Sequence, residues 1–171
     1  MKTSIFDTDA PHPEASRLTA FSENDLARDS EHRDDDCVEK ALAVDGAHIF
    51  AFTGNRLILK HDGQVLDPLF APYELAELQP DFDNAVLLGH RASGEPRLAV
   101  PVGIAEDKLA SHYKPTDGRT LFRDQLVGDA LLGEFAQGSA LLTWNRDNRF
   151  CGRCGSAMEQ KIGGYKRVCS A

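Results

Sequence analysis

The chain has 171 residues, a length that suits one full domain or one domain with a small appendage, and its 42% hydrophobic and 27% charged residues are typical of a soluble globular protein. Its formal net charge is −8, and the crowding of most of its four cysteines at one end excludes a secreted disulfide framework spread along the chain. No apolar run approaches the roughly 18 residues of a membrane span, and no apolar signal segment follows the N-terminus, so we expect a cytoplasmic protein without a membrane partner.

The first fifth of the chain is polar. Residues 1–20 contain two prolines and few apolar residues, without a helical or strand period, which predicts an extended arm. The charge-dense stretch that follows predicts a short helix near Asp34–Leu42. Its acidic run Asp34–Asp36 is more typical of a solvated helix start than of a metal site, because a cation needs ligands that converge from separate positions.

Two β-hairpins are predicted in the middle of the chain. The runs His48–Phe52 and Arg56–Lys60 flank a Thr-Gly-Asn turn, whose Gly and Asn supply the positive φ of a tight hairpin. The runs Asn84–Gly89 and Arg97–Val102 flank a Ser-Gly-Glu-Pro turn in the same way. Pro101 predicts that the last of these strands lies at an edge or ends there, since proline cannot donate a ladder hydrogen bond.

Helical patterns lie between and after the hairpins. Pro72 predicts the start of a short helix with Leu75 and Leu78 facing inward. Another short helix is predicted near Arg119–Leu126, followed by a long one over Asp129–Asp147. The long helix has an apolar stripe made of Leu131, Leu132, Phe135, Ala136, Ala140, Leu142 and Trp144.

These elements predict an α+β fold. An antiparallel, hairpin-rich N-terminal domain comes first and helices follow, without the alternation of strand and helix typical of a parallel sheet. Gly133 and Gly138 lower the helix propensity of the long helix, so tertiary packing is expected to stabilise it.

Three cysteines form a metal-site pattern at the end of the chain. Cys151 and Cys154 make a C-x-x-C, and 14 residues separate Cys154 from Cys169. Two thiolates at the C-x-x-C spacing reach one tetrahedral zinc ion from a tight turn. Because Gly163-Gly164 predicts a hairpin between the cysteines, the segment has the pattern of a zinc ribbon, with these three cysteines as structural Zn²⁺ ligands.

The fourth ligand of this ribbon is open to several interpretations. A second C-x-x-C would place it just after Ala171, so we expect a chain that is part of a longer protein and a ribbon that is incomplete here. Cys37 and His112 are alternatives without local spacing in their favour. A thioredoxin-type redox pair is disfavoured, because the C-x-x-C follows a helix and precedes a hairpin. In the remaining interpretation the thiols bind nothing.

The charge of the chain is unevenly distributed. The last 23 residues carry +4, and residues 1–148 therefore carry −12. The basic side chains either offset the negative charge of nearby thiolates or contact an anionic partner. They are Arg149, Arg153, Lys161, Lys166 and Arg167.

The segment Ala140–Cys169 resembles the corresponding junction of NADH pyrophosphatases, the NAD(H) diphosphatases of the Nudix superfamily. In that family a helix ending in Trp and basic residues runs into F-C-x-x-C-G, and a Gly-Gly hairpin follows. The resemblance is specific over this segment and looser for the preceding body. It implies zinc-ligand roles for Cys151, Cys154 and Cys169. The corresponding division of the chain is an arm (1–20), an N-terminal domain (21–148) and a partial ribbon (149–171).

The resemblance also implies an activity for the intact parent. Family members hydrolyse the pyrophosphate of NAD(H) to nicotinamide mononucleotide and AMP and remove NAD caps from RNA, using Mg²⁺ or Mn²⁺ in a catalytic Nudix domain. The parent is expected to be a homodimer. The Nudix box begins G-x5-E-x7-R-E; Gly128 and Glu134 fit its first spacing, but Leu142 and Thr143 then occupy the Arg and Glu positions. No catalytic residue is therefore transferred, and this chain alone is predicted to be inactive.

Two functions from other classes compete with this interpretation. A non-enzymatic zinc-ribbon module would bind nucleic acid or protein, with its basic residues on phosphates and Tyr165 available for stacking. Alternatively, the α+β body would be a small-ligand or scaffold domain. Nothing in residues 1–148 adds a catalytic motif, since they contain no Gly-rich phosphate loop, G-x-S-x-G or H-E-x-x-H.

Overall fold

The computed structural model describes Thr19, residues 21–63 and residues 65–171. Apart from Thr19, the arm predicted for residues 1–20 lies outside the described residues. Within the described ranges, no helix combines the length and the apolar character that crossing a bilayer requires.

The strands agree closely with the predicted runs. The hairpins are formed by β1 with β2 and by β4 with β5, and a separate two-stranded sheet is formed by β7 and β8. The strands are β1 (His48–Thr53), β2 (Arg56–His61), β3 (Leu66–Asp67), β4 (Val86–His90), β5 (Pro96–Pro101), β6 (Tyr113–Thr116), β7 (Met158–Lys161) and β8 (Lys166–Cys169).

A six-stranded sheet forms the centre of the body, in the order β3-β2-β1-β5-β4, with β6 paired to β2. Both predicted hairpins are antiparallel. They are joined by a parallel pairing of β1 with β5, which runs from His48 opposite Arg97 to Phe52 opposite Pro101. Turn signals specify only partners that are neighbours in the sequence, so this long-range pairing was not predicted. The strand β5 ends at Pro101, as expected, but it lies inside the sheet.

Both faces of this sheet are buried. Along β1, Ile49 and Ala51 belong to one apolar cluster, whereas Phe50 and Phe52 belong to the other. Because successive side chains of a strand point to opposite faces, a strand covered on both sides is apolar at nearly every position. The result is an α+β body with the sheet between two layers.

Helices cover the two faces. On the side of Ile49 lies a 3-10 helix, Pro72–Leu78, whose Leu75 and Leu78 are fully buried as predicted. The α-helices are α1 (Cys37–Leu42), α2 (Gly118–Arg123) and α3 (Asp129–Asp147). The long helix has the predicted bounds, while α1 begins later and α2 ends earlier than expected.

The buried face of α3 differs in part from the predicted apolar stripe. Leu132 and Phe135 are buried, but Ala140 is exposed and the Trp144 side chain is 39% exposed. The helix is therefore rotated so that several residues without large apolar side chains face the body, namely Gly133, Glu134, Gly138 and Asn145.

The two helix glycines allow close packing. A Cβ atom at Gly133 would lie 1.7 Å from the backbone oxygen of Glu23, and one at Gly138 would lie 3.0 Å from the Cβ of Ala99 on β5. Any side chain at Gly133 would collide with backbone. This supports the expectation that tertiary packing stabilises α3 despite its low propensity.

A buried ion pair links α3 to the sheet. Glu134 is fully buried and its Oε2 lies 2.8 Å from the Nε of Arg97, while Arg91 approaches Oε1 at 3.7 Å. Neither Glu134 oxygen accepts a well-directed hydrogen bond in the described structure, so the contact is mainly electrostatic. Burial raises the pKa of Glu134 and lowers the pKa of Arg97, because each charge has lost hydration.

Candidate metal centre

The C-x-x-C forms a tight turn at the end of α3. The backbone N–H of Cys151 donates to the Ser156 carbonyl, and the N–H of Gly155 donates to the Cys151 carbonyl, both at 2.8 Å. Gly155 has φ +74°, a left-handed conformation that glycine adopts without a steric penalty. The two hydrogen bonds and the glycine fold the turn so that both thiols face the same side.

The hairpin of β7 and β8 brings the third cysteine to this turn. Its register places Met158 opposite Cys169 and Lys161 opposite Lys166. Beyond the strand, the N–H of Ser170 donates to the Ala157 carbonyl at 3.1 Å. Cys169 is consequently held beside the segment that follows the C-x-x-C.

The three sulfur atoms form a compact cluster. The Sγ atoms of Cys151, Cys154 and Cys169 all lie within 4.8 Å of one another, and those of Cys154 and Cys169 are 3.5 Å apart. Tetrahedral zinc with Zn–S bonds of about 2.3 Å separates its sulfurs by about 3.8 Å. The cluster therefore fits a zinc ion without a change in the path of the chain.

The thiols are electrostatically different. Hydrogen bonds from the Ser156 side chain, then from its backbone and the neighbouring thiols, lower the pKa of Cys154 to about 7. For Cys169 the N–H of Ala171 favours the thiolate, but the two neighbouring thiols and burial outweigh it and raise the pKa. Closely spaced thiolates repel one another, and a divalent cation removes that repulsion.

The far end of the ribbon packs on the body. Gly163 and Gly164 are buried; a Cβ at Gly164 would lie 2.6 Å from Val86 Cγ2, and one at Gly163 would lie 2.7 Å from Cys37 Sγ. The Cys37 thiol is half-buried, and burial raises its pKa. It stands at this interface, apart from the cluster that the structure brings together from the described residues.

The basic residues of the ribbon have different environments. Lys161 pairs with Asp35 of the body at 3.5 Å and with Glu159 at 3.4 Å. Arg167 turns inward, and desolvation followed by the charge of Arg149 lowers its pKa. Lys161 and Arg167 are therefore both engaged with other groups of the chain.

Sequence reasoning missed the residues that attach the ribbon to the body. Asn145 on α3 is 3% exposed and donates to the Gly164 carbonyl at 2.8 Å. Gln137, also on α3, donates to the Leu88 carbonyl at 2.9 Å and hydrogen-bonds the Tyr165 hydroxyl. In the sequence, Gln137 and Asn145 are two amide side chains on a helix that leads into the ribbon. That position does not identify the groups to which they bind.

Two family models match the chain. Residues 46–144 match the model described as the NADH pyrophosphatase-like rudimentary NUDIX domain. Residues 146–171 match the NADH pyrophosphatase zinc ribbon domain. No curated protein matches the chain. The second family match covers the same residues in which the structure gathers three thiols.

Proposed function

The chain belongs to the NADH pyrophosphatase family, and from this we propose that it is the non-catalytic N-terminal and zinc-ribbon portion of an NAD(H) diphosphatase. The observation that carries the proposal is the cluster of three thiols within 4.8 Å, located in the segment that matches the family's zinc ribbon. The parent would hydrolyse the pyrophosphate of NADH or NAD in the cytoplasm, giving nicotinamide mononucleotide and AMP. NAD-capped RNA is a second proposed substrate.

Within this proposal, Cys151, Cys154 and Cys169 hold a structural Zn²⁺ ion. The metal supplies a cross-link between the C-x-x-C turn and the ribbon hairpin. Ser156 favours the thiolate of Cys154 through its side-chain and backbone hydrogen bonds, which prepares one ligand in the form that binds metal.

The chain alone is proposed to be inactive. Residues 1–171 contain no Nudix box, so the carboxylates that would bind Mg²⁺ or Mn²⁺ would come from a catalytic domain. The α+β body would position that domain and contribute to a homodimer. Its apolar clusters and buried ion pair are consistent with a rigid scaffold rather than a reactive site.

A non-enzymatic ribbon that binds nucleic acid is the alternative. The exposed side chains of Arg149, Arg153 and Lys166 favour it. The inward position of Arg167 and the pairing of Lys161 leave less positive charge for phosphates.

Zinc content and AMP release, measured on two proteins, test the proposal. One protein is this chain, and the other continues beyond Ala171 through roughly 120–150 residues, the length of a catalytic domain. We expect both to bind zinc, the longer one more tightly, and only the longer one to release AMP from NADH with Mg²⁺ or Mn²⁺. Absence of hydrolysis in the longer protein, together with salt-sensitive RNA binding by this chain, would establish the alternative.

A further inference from the structure

A buried amide connects α3 to the ribbon hairpin. The Nδ2 of Asn145 donates to the Leu141 carbonyl at 3.0 Å and to the Gly164 carbonyl at 2.8 Å. Its Oδ1 accepts from Arg167 at 3.0 Å. Both amide hydrogens and the amide oxygen of Asn145 are therefore hydrogen-bonded. One of these three hydrogen bonds lies within the helix, and the other two reach the ribbon.

Arg167 extends this connection to the other ribbon strand. While one of its terminal nitrogens donates to Asn145, the other donates to the Met158 carbonyl at 2.9 Å. Met158 is the residue that the hairpin register places opposite Cys169. The chain of contacts thus runs from α3 through Arg167 on β8 to the strand pair that carries the third thiol.

The same helix also leads directly into the other two thiols. Only a short segment separates the end of α3 at Asp147 from Cys151. One element therefore sets the position of Cys151 and Cys154 through the backbone and the position of Cys169 through Asn145 and Arg167. An amide at position 145 is suited to this task, because it donates and accepts at once in a site closed to water.

We propose that Asn145 is a positioning residue for the metal centre, which holds Cys169 beside Cys154 through Arg167 before any metal binds. The inference rests on the proposed function only in assigning these thiols to zinc. Isolated zinc modules fold when the metal binds. In this chain the hairpin is already attached to a folded body, so the order of the ligand strand depends on Asn145 as well as on the ion.

Amide hydrogen exchange of the metal-free chain tests the positioning role without any metal. In Asn145→Leu and in Arg167→Met, we expect the amides of β7 and β8 to exchange at least tenfold faster than in the unsubstituted chain. Exchange in β1 and β5 should stay unchanged, which verifies that the body is folded. Arg167 lies on the ribbon, and its substitution leaves the hydrogen bonds of Asn145 to the Leu141 and Gly164 carbonyls in place.

A double-mutant cycle and a matched control sharpen this experiment. Because the two side chains share one hydrogen bond, the acceleration in the double variant should be smaller than the product of the two single accelerations. Asn148→Leu is the control, since the side chain of Asn148, the residue after α3, donates only to the Trp144 carbonyl of that helix in the described structure. Unchanged β8 exchange in both single variants, or equal acceleration by the control, would overturn the positioning role.

Titration with Co²⁺ gives the second readout, through the thiolate-to-cobalt absorption bands. We expect Asn145→Leu and Arg167→Met to weaken Co²⁺ binding roughly 10- to 100-fold, the usual effect of losing a group that orients a ligand. Unaltered affinity in both variants would contradict the inference. A missing thiolate band in the unsubstituted chain would instead refute the zinc assignment, and the metal-free exchange data would still decide the role of Asn145.

Discussion

In the body, the central strands β1 and β5 bury almost every side chain, whereas in residues 149–171 only Gly163 and Gly164 are buried. The body is therefore stabilised mainly by the removal of apolar surface from water. The ribbon has no apolar core of comparable size. Its order depends on hydrogen bonds, on contact with the body and, in our proposal, on a metal ion.

The contrast shows how a segment too small to form a core is held in place. Arg33 of the body stacks over the Tyr165 ring of the ribbon at 4.1 Å and also donates to the Leu87 and Leu88 carbonyls on β4. Gln160 of β7 donates to the Ala85 carbonyl at 2.7 Å. Damage to the body core should therefore disturb both regions, while damage at the interface should loosen the ribbon alone.

The largest effect is expected at the buried ion pair. Glu134→Leu leaves the Arg97 charge buried without its partner, which should reduce the free energy of unfolding by about 3–5 kcal/mol. Urea denaturation measures the change. The double variant Glu134→Leu/Arg97→Met replaces both charges by apolar groups and should recover most of the loss. If the double variant is no more stable than the single one, the pair does not act as a unit.

Truncation of a side chain in the body core should reduce the free energy of unfolding nearly as much as loss of the ion pair. Leu98 is fully buried in the sheet, and Leu98→Ala should reduce the free energy of unfolding by roughly 2–5 kcal/mol through lost burial and a residual cavity. The comparison variant is Val168→Ala on β8, where the side chain is 38% exposed and the cost should be well below 1 kcal/mol. If urea denaturation shows similar losses in the free energy of unfolding for Leu98→Ala and Val168→Ala, the proposed difference in stabilisation between body and ribbon is wrong.

Alanine substitutions at two glycines distinguish the effect of backbone strain from the effect of packing at the interface between ribbon and body. Gly164 and Gly94 have φ values of +92° and +91°, but only at Gly164 would a Cβ meet another residue, Val86. Gly94→Ala should cost about 1 kcal/mol from strain alone. Gly164→Ala should add a steric collision and release the ribbon, seen as faster amide exchange in β7 and β8. Undisturbed ribbon exchange in Gly164→Ala would show that this contact does not hold the ribbon.

The smallest expected effect is pH-dependent and lies at the start of α2. Asp117 accepts hydrogen bonds from the backbone N–H and the hydroxyl of Thr120, both at 3.0 Å, and the backbone bond is the main reason why its pKa is lowered. A carboxyl with a lowered folded-state pKa stabilises the fold above its unfolded pKa of about 3.9, and this contribution disappears as pH falls through the folded value.

The Tm of Asp117→Ala should consequently be slightly lower than that of the unsubstituted chain at pH 7, with a difference that shrinks below pH ~3.9. Asp117→Asn is the matched control, because asparagine caps a helix without titrating. It should keep most of the stability, and its Tm difference from Asp117→Ala should vary little with pH. A Tm difference between Asp117→Ala and the unsubstituted chain that persists at low pH would assign the effect to something other than the carboxylate.

Local elements were predictable because their signals are local. The bounds of Asp129–Asp147 follow from apolar periodicity, and the turn between β1 and β2 follows from residues that tolerate positive φ. The C-x-x-C and the Gly-Gly hairpin likewise placed Cys151, Cys154 and Cys169 in one ribbon. Their sulfur atoms do lie together in the structure.

Partners distant in the sequence were not predictable from the same signals. The parallel pairing of β1 with β5 joins two hairpins, and the turn of each hairpin specifies only the two strands that it connects. On α3, apolar periodicity favoured Trp144 as an inward residue, yet Glu134 is buried instead, because Arg97 of β5 supplies an opposite charge at that position. The helix rotation depends on this partner and on the glycines that let the backbones approach.

By itself, the sequence determined the α+β order of elements, the bounds of the long helix and the thiol spacing suited to zinc. Turn chemistry, periodicity and ligand spacing are properties of a few neighbouring residues. Only the tertiary structure decided that two hairpins form one sheet, that Glu134 meets Arg97 and that Asn145 reaches the ribbon through Arg167. These contacts depend on burial and on the exclusion of water by residues that are far apart in the chain. Local sequence patterns do not indicate which distant residues come together.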